Sequence, residues 1–591
     1  MPSSVPSTVR TVYLGLGSTY HDPAISLIDD SGMVQFAEAL ERPLQYKRGI
    51  NVEPDNPFIL PKLLLENLGD AERIVIAGNW KAARPWYEHL SRVLGWLSPR
   101  GIMTYGNREL TTFLPTWELN YMQALQHQAL QRSGLTLART LRQHFGGMEV
   151  EFKSYDHHLT HAALAAYGSP FEDAACAVID SYGEVGSLAF FEYEKGRIRP
   201  LYHSRGPQSL GFFYMKLTEL CGFDWLGGEE WKVMGLASYG ALDPEILTLM
   251  QGMMKVEGFN LHQDRHRFFK NLKALERYRR QPDAPAESVA NLAHTGQVFF
   301  MDTVNALLSA FRVKGVSSNL VLGGGCALNS VANGQILEKT AFESLHVPSA
   351  PADDGTALGA ALLAYHEANP KASLRQEALT PYLGSSVNTR DIKRFAQFSG
   401  LEVEELHDEA LWQKTANLLA RGLIIGWMRG RAEFGPRALG NRSILADPRN
   451  PDMMDRVNRI VKFREAFRPY APSILHEHGP DYFLNYQDSP YMDRTLQFRP
   501  EVRSKIPAIV HVDGTGRLQS VTRKRNPDFH ALLTAFNEIT GIPVLLNTSF
   551  NVMGKPIVHS VEDAFSVFLG SGLDALIIED HLFLKPGLHD R

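Results

Sequence analysis

The residues whose types and spacing point most directly to chemistry are two histidines in the segment Asp156–His161. His157 and His161 are four positions apart and precede the small apolar run Ala162–Tyr167, which favours a helix. On a helix the two imidazoles share one face and can hold one metal ion, whereas His158 is rotated by about 100° and is expected to point elsewhere. A structural role is the alternative explanation for a single histidine. The pair therefore suggests a metal site that needs further ligands.

Candidate further ligands are carboxylates at the ends of predicted strands. Asp180 directly follows the predicted strand Ala174–Ile179, and Asp353 and Asp354 end a strand predicted to begin at Val347. In α/β folds ligands bind at the carboxyl ends of strands. These side chains are therefore expected at a functional edge of the fold.

A glycine turn joins another predicted strand to a predicted helix. The strand Asn319–Leu322 runs into Gly323, Gly324 and Gly325, and Asn329 follows. Backbone N–H groups at such a corner, with a helix N-terminus behind them, can bind a phosphate. The alternative is a close helix–strand turn without a ligand. The spacing matches neither G-x-G-x-x-G nor a Walker A loop, so it supports neither of those classes.

Polar and cationic side chains are concentrated in glycine-bounded segments elsewhere. Residues 227–240 place Glu230 and Lys232 on either side of a tryptophan, which favours a site, with a surface ion pair as the alternative. Arginines recur through residues 429–443, and more cations follow over 462–468. Cations this dense are costly to hold together unless anions lie between them. The second half of the chain is therefore expected to bind anions, with a surface charge as the alternative for each single arginine.

The elements that position these residues form two similar units. Each unit reads as a strand, a polar corner, a second strand, a tight turn and a third strand. The predicted strands are Thr11–Leu16, Ala24–Ile28 and Met33–Ala39 in the first unit, and Ala174–Ile179, Ser187–Tyr193 and Ile198–His203 in the second. This duplication is typical of the actin/hexokinase-type fold, in which two related α/β halves flank a nucleotide cleft. Coincidence between two ordinary hairpins is the alternative.

Composition and charge narrow the functional classes. The chain has 591 residues, 44% of them hydrophobic and 21% charged, as in ordinary globular proteins. The net charge of -5 gives no general attraction to nucleic acid or anionic membrane, and the basic stretch Arg265–Arg280 has aromatic residues spaced for packing. Three scattered cysteines without a CxxC pair favour a reducing compartment. With no signal-like start and no long apolar run, the expected location is cytoplasmic.

A change in composition over residues 367–389, which are polar and contain prolines, marks the predicted domain boundary. We therefore predict an α/β domain at 1–378 that carries the duplication and a second α/β domain at 379–591.

Several longer motifs resemble one family along nearly the whole chain, the O-carbamoyltransferases of antibiotic and nodulation-factor biosynthesis (the tobramycin, cephamycin and NodU type). The matching motifs are K-V-M-G-L-A at Lys232–Ala237, E-F-G-P-R-A-L-G-N-R-S-I-L-A-D-P-R at Glu433–Arg449, F-R-E-A-F-R-P-Y-A-P-S at Phe463–Ser473, H-V-D-G-T at His511–Thr515 and L-L-N-T-S-F-N at Leu545–Asn551.

The resemblance implies a fold and a reaction. It implies a duplicated Kae1-like domain of the actin/hexokinase (ASKHA) superfamily at 1–378 and a YrdC-like α/β domain at 379–591. In the YrdC-like domain carbamoyl phosphate and ATP, with Mg(2+), would give carbamoyl adenylate. The carbamoyl group would then pass to a hydroxyl of a secondary metabolite in the metal-containing Kae1-like domain. The implied partner is a small-molecule hydroxyl acceptor, with neither nucleic acid nor membrane, and the oligomeric state is not readable.

The resemblance also implies residue roles. Fe(2+) would be held by His157, His161, Asp180 and Asp353, and His21, beside Asp22, is the candidate base. The implied adenylate- or phosphate-binding residues of the Kae1-like domain are Gly323, Gly324, Gly325, Asn329, Glu230 and Lys232. The implied ATP and carbamoyl phosphate residues of the YrdC-like domain are Arg437, Arg442, Lys462, Arg464, Arg468, His511, Arg517, Asn547, Ser549 and Asn551.

The chain departs from the family pattern at three places, and three rival functions share parts of it. Ser181 stands where the family has glycine, Pro23 replaces a small residue, and Pro43 replaces the phenylalanine of an E-E-R-F motif. A tRNA threonylcarbamoyl-forming fusion would require a basic face, which a pI near 6.5 does not favour. A hydrogenase-maturation carbamoyltransferase would require zinc-finger cysteines, and an actin- or Hsp70-type regulator would not need the arginine-dense second domain.

Overall fold

The computed structural model describes residues 10–55, 68, 71–81, 133–144, 146–184, 186–205, 208–465 and 467–587. Apolar periodicity in the sequence also predicts helices at 56–68, 85–97 and 121–145. The first two segments fall almost entirely outside the described residues. Of the helical segment predicted at 121–145, the described part contains a helix at Leu135–His144.

The first unit is a five-stranded sheet with the order β3-β2-β1-β4-β5. Its strands are β1 (Thr11–Gly17), β2 (Ala24–Ile28), β3 (Val34–Ala39), β4 (Arg73–Gly78) and β5 (Glu149–Ser154). The first three strands form an antiparallel meander, whereas β4 and β5 run parallel to β1.

The second unit repeats this topology strand for strand, with the order β12-β11-β6-β7-β8. Its strands are β6 (Asp173–Ile179), β7 (Leu188–Glu194), β8 (Arg197–His203), β11 (Asn319–Gly323) and β12 (Ser344–His346). Here too a three-stranded antiparallel meander is extended by two parallel strands. The predicted actin/hexokinase-type duplication is therefore confirmed. A small ribbon, β9 (Lys255–Glu257) and β10 (Asn260–His262), lies between β8 and β11 in the chain.

The strand predicted to end at Asp354 is much shorter than expected. β12 stops at His346, and Asp353 lies in the turn that leads into the next helix. Pro348 and Pro351 follow β12, and proline lacks the N–H that a sheet ladder needs. Asp353 therefore reaches its position from the start of a helix, and the predicted strand end is wrong.

The helices of the first part of the chain connect and cover the two sheets. They are α1 (Glu41–Leu44), α2 (Leu135–His144), α3 (His157–Tyr167), α4 (Leu210–Leu220), α5 (Glu230–Ala237), α6 (Pro244–Gln251), α7 (Arg265–Leu275), α8 (Ala290–Arg312), α9 (Ser330–Lys339) and α10 (Gly355–Ala368). Short 3-10 turns occur at Lys47–Gly49, Glu276–Tyr278, Ala286–Val289 and Gly325–Leu328.

Two helices made largely of small residues, α3 and α10, pack against each other between the two sheets. A Cβ on Gly359 would lie 1.9 Å from the carbonyl oxygen of Thr160. Only glycine permits this approach, which brings the start of α10 close to the start of α3. The helix carrying the histidine pair and the helix preceded by Asp353 are thereby held side by side.

The second part of the chain is built on a nine-stranded mixed sheet with the order β13-β21-β20-β14-β15-β19-β16-β18-β17. Its strands are β13 (Glu402–Glu405), β14 (Ile425–Met428), β15 (Arg442–Ala446), β16 (Ala471–Leu475), β17 (Arg494–Gln497), β18 (Thr515–Val521), β19 (Val544–Ser549), β20 (Ala575–Ile578) and β21 (His581–Leu584). One large apolar core, which includes Trp427, Phe529 and Leu545, covers this sheet.

The helices of this part are α11 (Thr389–Phe398), α12 (Asp408–Ala420), α13 (Met453–Val457), α14 (Gly479–Tyr482), α15 (Pro500–Arg503), α16 (Pro527–Thr540) and α17 (Val561–Gly570). A π-helical turn at Asn458–Lys462 continues α13, and 3-10 turns lie at His476–His478 and Pro507–Ile509. The α/β fold class predicted for both parts is confirmed.

The two parts of the chain are joined by buried polar contacts. Arg494 is 5% exposed and donates to the carbonyl of Leu345 at 2.8 Å. Arg42, 2% exposed, donates to the carbonyl of Gly435 at 2.8 Å. The exact boundary at 378/379 stays a prediction. Within the described part of the chain, no helix combines the length and apolar character needed to cross a bilayer.

Candidate functional site

The metal cluster, defined as His157, His161, Asp180 and Asp353, brings four possible ligand atoms within 4.8 Å of one another. The Asp156 side chain caps α3 by accepting from the N–H of Leu159, so the helix starts at the first histidine. The Nε2 atoms of His157 and His161 lie 3.3 Å apart. The i, i+4 spacing thus places the pair on one helical face, as the sequence predicts.

The two carboxylates face this pair. Asp180 Oδ2 lies 3.4 Å from His157 Nε2 and 3.8 Å from His161 Nε2. Asp353 Oδ1 lies 3.6 Å and 3.5 Å from the same two atoms. Burial acts to raise the pKa of Asp180, but the nearby imidazoles of His157 and His161 together outweigh it and hold the value at about 2. The cluster therefore contains ionised carboxylates beside imidazoles, which is a ligand set for a divalent ion.

Asp180 gives the clearest test of whether these residues fit a metal. Its Oδ1 accepts from the N–H of Gly325 at 3.0 Å, whereas its Oδ2 is buried without a hydrogen-bond partner among the described residues. A buried carboxylate oxygen is costly to leave unpaired, and this one points toward both imidazoles. Two imidazoles and two carboxylates suit borderline or hard divalent ions. The residues present fit a metal.

Two neighbouring side chains, Trp80 and Glu184, support His157 of the histidine pair. The Trp80 ring stacks on His157 with centroids 4.7 Å apart, and the Glu184 carboxylate accepts from the N–H of His157 at 3.0 and 3.1 Å. His158 is outside the cluster, as expected, although its Nε2 still lies 3.9 Å from Asp180. Burial lowers the pKa of His158 to about 3, which keeps this imidazole neutral.

The glycine corner uses two of its N–H groups in hydrogen bonds within the protein. Gly324 donates its N–H to the carbonyl of Pro351 at 2.9 Å, and Gly325 donates to Asp180. Gly323 lies within β11, paired with β6. Gly324 has φ +88, and a Cβ there would lie 2.4 Å from the carbonyl oxygen of Ile179. The N–H groups of Gly324 and Gly325 are therefore already bonded, and Gly325 orients Asp180. Phosphate binding at the corner stays a prediction.

The candidate base lies beside the metal cluster. His21 Nδ1 is 2.9 Å from Asp22 Oδ2 and 3.6 Å from Asp353 Oδ2. Asp22 is also bound by Arg48, whose Nη2 lies 2.9 Å from Asp22 Oδ2. Burial acts to raise the pKa of Asp22, but Arg48 and His21 lower it to about 2. His21 is thus placed against a fixed anion at the edge of the cluster.

The remaining predicted residues of the first part have mixed placements. The Asn329 side chain caps α9 and exchanges two hydrogen bonds with Gln297, at 3.0 and 3.1 Å. Glu230 begins α5, and burial raises the pKa of its carboxyl. Lys232 is 2.9 Å from Glu465 of the second part and 2.7 Å from Glu229. Lys232 therefore joins the two parts of the chain, in addition to any contact with a ligand.

The second part contributes a cationic wall, defined as Arg437, Lys462, Arg464, Arg468 and Arg517. Burial lowers the pKa of Arg437 and of Arg468 to about 10. Burial also lowers the pKa of Arg517, and repulsion from Arg437 and Arg464 lowers it further. Buried Nη2 of Arg464 and buried Nε of Arg517 have no hydrogen-bond partner among the described residues. Such a set is electrostatically incomplete without an anion.

Lys462 is the best satisfied cation of this wall. Its Nζ contacts the carbonyl oxygen and the hydroxyl of Ser549, at 2.5 and 3.3 Å. It also contacts the carbonyl oxygen and the side-chain oxygen of Asn551, at 3.1 and 2.6 Å. Lys462 therefore fixes the corner after β19 in which both of these predicted residues lie.

Two other predicted residues are buried beside the wall. Asn547 is 1% exposed and donates to Ser473 at 2.9 Å, while its Oδ1 has no hydrogen-bond partner among the described residues. His511 Nδ1 lies 3.1 Å from the hydroxyl of Thr515. Burial lowers the pKa of His511 to about 4, so it is a neutral hydrogen-bonding group at neutral pH.

Arg442 lies away from the cationic wall. Its guanidinium is fully buried and donates to the carbonyls of Arg429, Asn441, Ser385 and Gly430 at 2.9–3.1 Å. These bonds fix the glycine-rich loop before β15. The guanidinium of Arg442 is taken up by these hydrogen bonds to the backbone. The structure therefore gives no support to a phosphate contact of Arg442, and Arg442 is not counted in the cationic wall.

One cavity of about 1390 Å³ connects the two groups of residues. Its lining includes His21, Asp22, Asp180 and Asp353 on one side and the whole cationic wall on the other. The other predicted residues in the lining are Glu230, Lys232, Gly325, Asn329, His511, Asn547, Ser549 and Asn551. The two histidines of the metal cluster lie behind its carboxylates. The site is therefore one continuous chamber between the two parts of the chain.

Sequence reasoning did not identify Arg48, Trp80, Glu184 or Glu465 as site residues. Arg48 and Glu465 gain their positions from partners far away in the chain, Asp22 and Lys232. Trp80 immediately follows β4 and Glu184 follows β6, so both lie at strand ends. A search of strand ends for aromatic and acidic residues could have found these two.

Two family models match the chain. "Carbamoyltransferase N-terminus" matches residues 12–362 and "Carbamoyltransferase C-terminus" matches residues 416–585. Among similar proteins, "Uncharacterized protein sll1178" of Synechocystis is 32% identical over 98% of both chains. "Nodulation protein NolO" of Bradyrhizobium diazoefficiens is 36% identical over 73% of this chain and 79% of its own length. "Nodulation protein NolNO" of Sinorhizobium fredii is 34% identical over 78% of this chain and 68% of its own length.

Two solved structures show a distant resemblance to the chain. HypF of T. kodakarensis is 12% identical, covers 63% of this chain and 50% of its own, and has a TM-score of 0.31. Component A of (R)-2-hydroxyglutaryl-CoA dehydratase from Acidaminococcus fermentans is 12% identical over 61% of this chain and 99% of its own, also with a TM-score of 0.31.

Proposed function

The chain belongs to the carbamoyltransferase family, and we propose that it is an ATP-dependent O-carbamoyltransferase that works through carbamoyl adenylate. In this proposal water hydrolyses carbamoyl phosphate to carbamate and phosphate at the cationic wall. The carbamate oxygen then bonds to the α-phosphorus of ATP while the bond from that phosphorus to pyrophosphate breaks, which gives carbamoyl adenylate. The carbamoyl group then passes to a hydroxyl of a small secondary metabolite beside the metal cluster. The family membership itself makes the chain a carbamoyltransferase; the intermediate, the acceptor and the division between two sites are the proposal.

The observation that carries the proposal is the single cavity lined by both groups of residues. A carbamoyl adenylate is a mixed anhydride that water destroys, so two steps facing one chamber protect it. Among the described residues, Arg468 is the one member of the cationic wall with a carboxylate partner, Glu465 at 3.1 Å. Such a wall suits polyphosphate substrates, whereas a cluster of carboxylates and imidazoles does not. The two ends of the chamber are thus suited to successive steps.

For the activation step, we propose that the cationic wall binds the negatively charged phosphate groups of the substrates. Arg437, Arg464 and Arg517 repel one another in a buried setting. Phosphate oxygens placed between them replace this repulsion with charge-assisted hydrogen bonds. Lys462 and Asn551 hold the corner of β19 against which the phosphates would rest. Mg(2+) is expected to arrive with ATP.

For the transfer step, the proposal gives His21 the role of base. The acceptor oxygen forms a bond to the carbamoyl carbon, the bond from that carbon to AMP breaks, and the acceptor proton moves to His21. Asp22, 2.9 Å from Nδ1, favours the tautomer that leaves Nε2 as proton acceptor. A divalent ion held by the metal cluster would supply a Lewis acid for the phosphate of the leaving AMP.

The identity of the ion and of the partners belongs to this proposal. The ligand set is compatible with Fe(2+), which the family resemblance implies. The proposed partner is a small hydroxyl-bearing natural product such as an antibiotic precursor, with neither nucleic acid nor membrane as a substrate. The cytoplasmic location expected from the sequence stays a prediction.

Carbamoyl-phosphate-dependent exchange of labelled pyrophosphate into ATP tests the activation step without an acceptor. We expect exchange in the wild type and its loss in Arg437→Ala. Arg525→Ala is the matched control, because Arg525 binds Asp488 at 2.7–3.0 Å and lies outside the cavity lining. Exchange that does not depend on carbamoyl phosphate would contradict the proposal. Mass spectrometry of a metabolite pool gaining one carbamoyl mass then identifies the acceptor.

A further inference from the structure

Arg48 lines the cavity and contacts the carboxylate that faces the candidate base. Its Nη2 is 2.9 Å from Asp22 Oδ2, and its Nε is 3.3 and 3.4 Å from the two carboxylate oxygens. Asp22 Oδ2 is also 2.9 Å from His21 Nδ1. One carboxylate oxygen therefore bridges the guanidinium and the imidazole, and the position of Asp22 depends on Arg48.

The backbone at these residues is held in a costly conformation. Asp22 has φ +54 and Arg48 has φ +61, which residues other than glycine seldom adopt. The two are bonded directly, because the N–H of Asp22 donates to the carbonyl of Arg48 at 2.6 Å. The N–H of Arg48 donates in turn to Glu41 at 2.8 Å. Strain of this kind persists only where the surroundings enforce it, and it clusters at functional sites.

Arg48 also contacts a loop of the second unit. Its Nη1 lies 3.3 Å from the carbonyl oxygen of Trp225 and 3.4 Å from that of Leu226. A Cβ on Gly228 would lie 2.9 Å from Arg48 Cδ, so this loop closes tightly over the arginine. The same loop leads into α5 and Glu230, which lines the cavity. The guanidinium thus ties the corner after β1 to a loop of the second unit.

We propose that Arg48 is a positioning residue for carbamoyl transfer. It fixes Asp22, and through Asp22 it fixes the imidazole of His21 against the metal cluster. This inference rests on the proposed function, in which His21 removes the proton of the acceptor hydroxyl. Arg48 is suited to the role because a planar guanidinium can bind a carboxylate and two carbonyls at once, which a lysine ammonium at the end of a flexible chain cannot reproduce.

The test compares Arg48→Ala and Arg48→Lys with the wild type. Arg279→Ala is the matched control, because Arg279 also binds two carboxylates and a backbone carbonyl, through Glu276 and Glu219, but lies outside the cavity lining. In crystal structures we expect the His21 ring to leave its place beside Asp353 in both Arg48 variants and to stay in Arg279→Ala. The proposal would be overturned if the His21 ring stayed within about 0.5 Å of its wild-type position, which is the positional tolerance of a catalytic group.

Kinetics provide a second readout with glycerol as the hydroxyl probe. Labelled carbamoyl phosphate reports carbamate ester formation, and we expect kcat to fall about 100-fold in Arg48→Ala, the cost of a misplaced reacting group, with the KM for carbamoyl phosphate unchanged. Added guanidinium ion is expected to restore part of the rate in Arg48→Ala and none in a His21→Ala control. A wild-type kcat in both Arg48 variants would overturn the proposal.

The two proposals fail in different ways. Absence of pyrophosphate exchange in the wild type would contradict the proposed function. The crystal structures of the Arg48 variants would still show whether Arg48 positions His21. Normal exchange with an undisturbed His21 in both Arg48 variants contradicts only the role of Arg48. Because Arg48→Lys keeps the positive charge, it remains informative if Arg48→Ala does not fold.

Discussion

Replacing Arg437 by methionine is expected to make the ligand-free protein more stable while it loses the activation step. Burial lowers the pKa of Arg437 from 12.5 to about 10, so the folded protein disfavours its charge. A shift of this size corresponds to about 3 kcal/mol. The side chain is only half-buried, and water screens part of the effect, which leaves about 1–2 kcal/mol. Methionine keeps much of the volume and removes the charge.

The contact that Arg437 would lose is weak. Its Nη2 lies 3.4 Å from the carbonyl oxygen of Leu328, at the long limit for a hydrogen bond. The loss of this contact therefore offsets little of the gain. A gain of about 1 kcal/mol corresponds to a rise in Tm of about 2–4 °C in domains of 150–250 residues.

Scanning calorimetry with and without pyrophosphate measures both effects. Pyrophosphate is expected to raise the Tm of the wild type, because a ligand that binds only the folded state stabilises it, and to have much less effect on Arg437→Met. Arg525→Met is the control, since its arginine is paired with Asp488 and its loss is expected to give no increase. A variant that is less stable than the wild type and keeps full exchange activity would refute the reasoning.

Three further predictions concern the metal cluster, the glycine corner and a buried histidine. His157→Ala and Asp353→Ala are each expected to abolish carbamoyl transfer and to leave pyrophosphate exchange intact, which paired assays measure. Gly324→Ala is expected to lower both Tm and metal content, since its Cβ would lie 2.4 Å from a carbonyl oxygen at φ +88, and elemental analysis measures the metal. His346→Phe is expected to reduce the loss of stability in acid, measured by urea unfolding at pH 4 and pH 7.

The sign of the last prediction follows from the lowered pKa. Burial, with Arg494 nearby, lowers the pKa of His346 from 6.5 to about 3 in the folded protein. In the unfolded chain His346 therefore binds a proton below about pH 6.5, whereas in the folded protein it stays unprotonated down to about pH 3. Stability falls by about 1.4 kcal/mol per pH unit across this window and is unaffected by His346 above it. Equal acid sensitivity in His346→Phe would show that another group is responsible.

The outcomes for the metal cluster would separate its roles. If purified His157→Ala transferred the carbamoyl group normally with no bound metal, the histidine pair would have no part in the reaction. For Gly324→Ala, Gly315→Ala is a control at a comparable positive φ where a Cβ meets no neighbour. An equal loss of metal in both variants would show that the close approach at Gly324 is unimportant.

The sequence predicts features that depend on spacing and on strand ends. The i, i+4 spacing of His157 and His161 and the position of Asp180 after β6 are local, and the structure brings them together. The repeated meander is likewise encoded by turns and alternating apolar residues, so the duplication could be predicted. Asp353 was placed correctly for a wrong reason, because prolines end β12 early.

Features that depend on contacts between distant segments could not be predicted. Arg442 and Arg437 lie in one arginine-rich segment. Arg442 donates its hydrogen bonds to backbone carbonyls, whereas Arg437 faces the cavity. Nothing in the local sequence distinguishes them. Arg48 depends on a positive φ and on Asp22, neither of which leaves a pattern. The glycine corner satisfies its own N–H groups, which its composition does not reveal.

The crossing of α3 and α10 at Gly359 has a consequence for how this enzyme can be altered. The backbones meet with no room for a methyl group, so the spacing of the metal ligands is set by main-chain contact and cannot be adjusted by changing rotamers. A substitution at this crossing is therefore expected to change the distance between the metal ligands, although it alters none of the ligands itself. Engineering of acceptor choice is better directed at residues that line the chamber and lie away from this crossing.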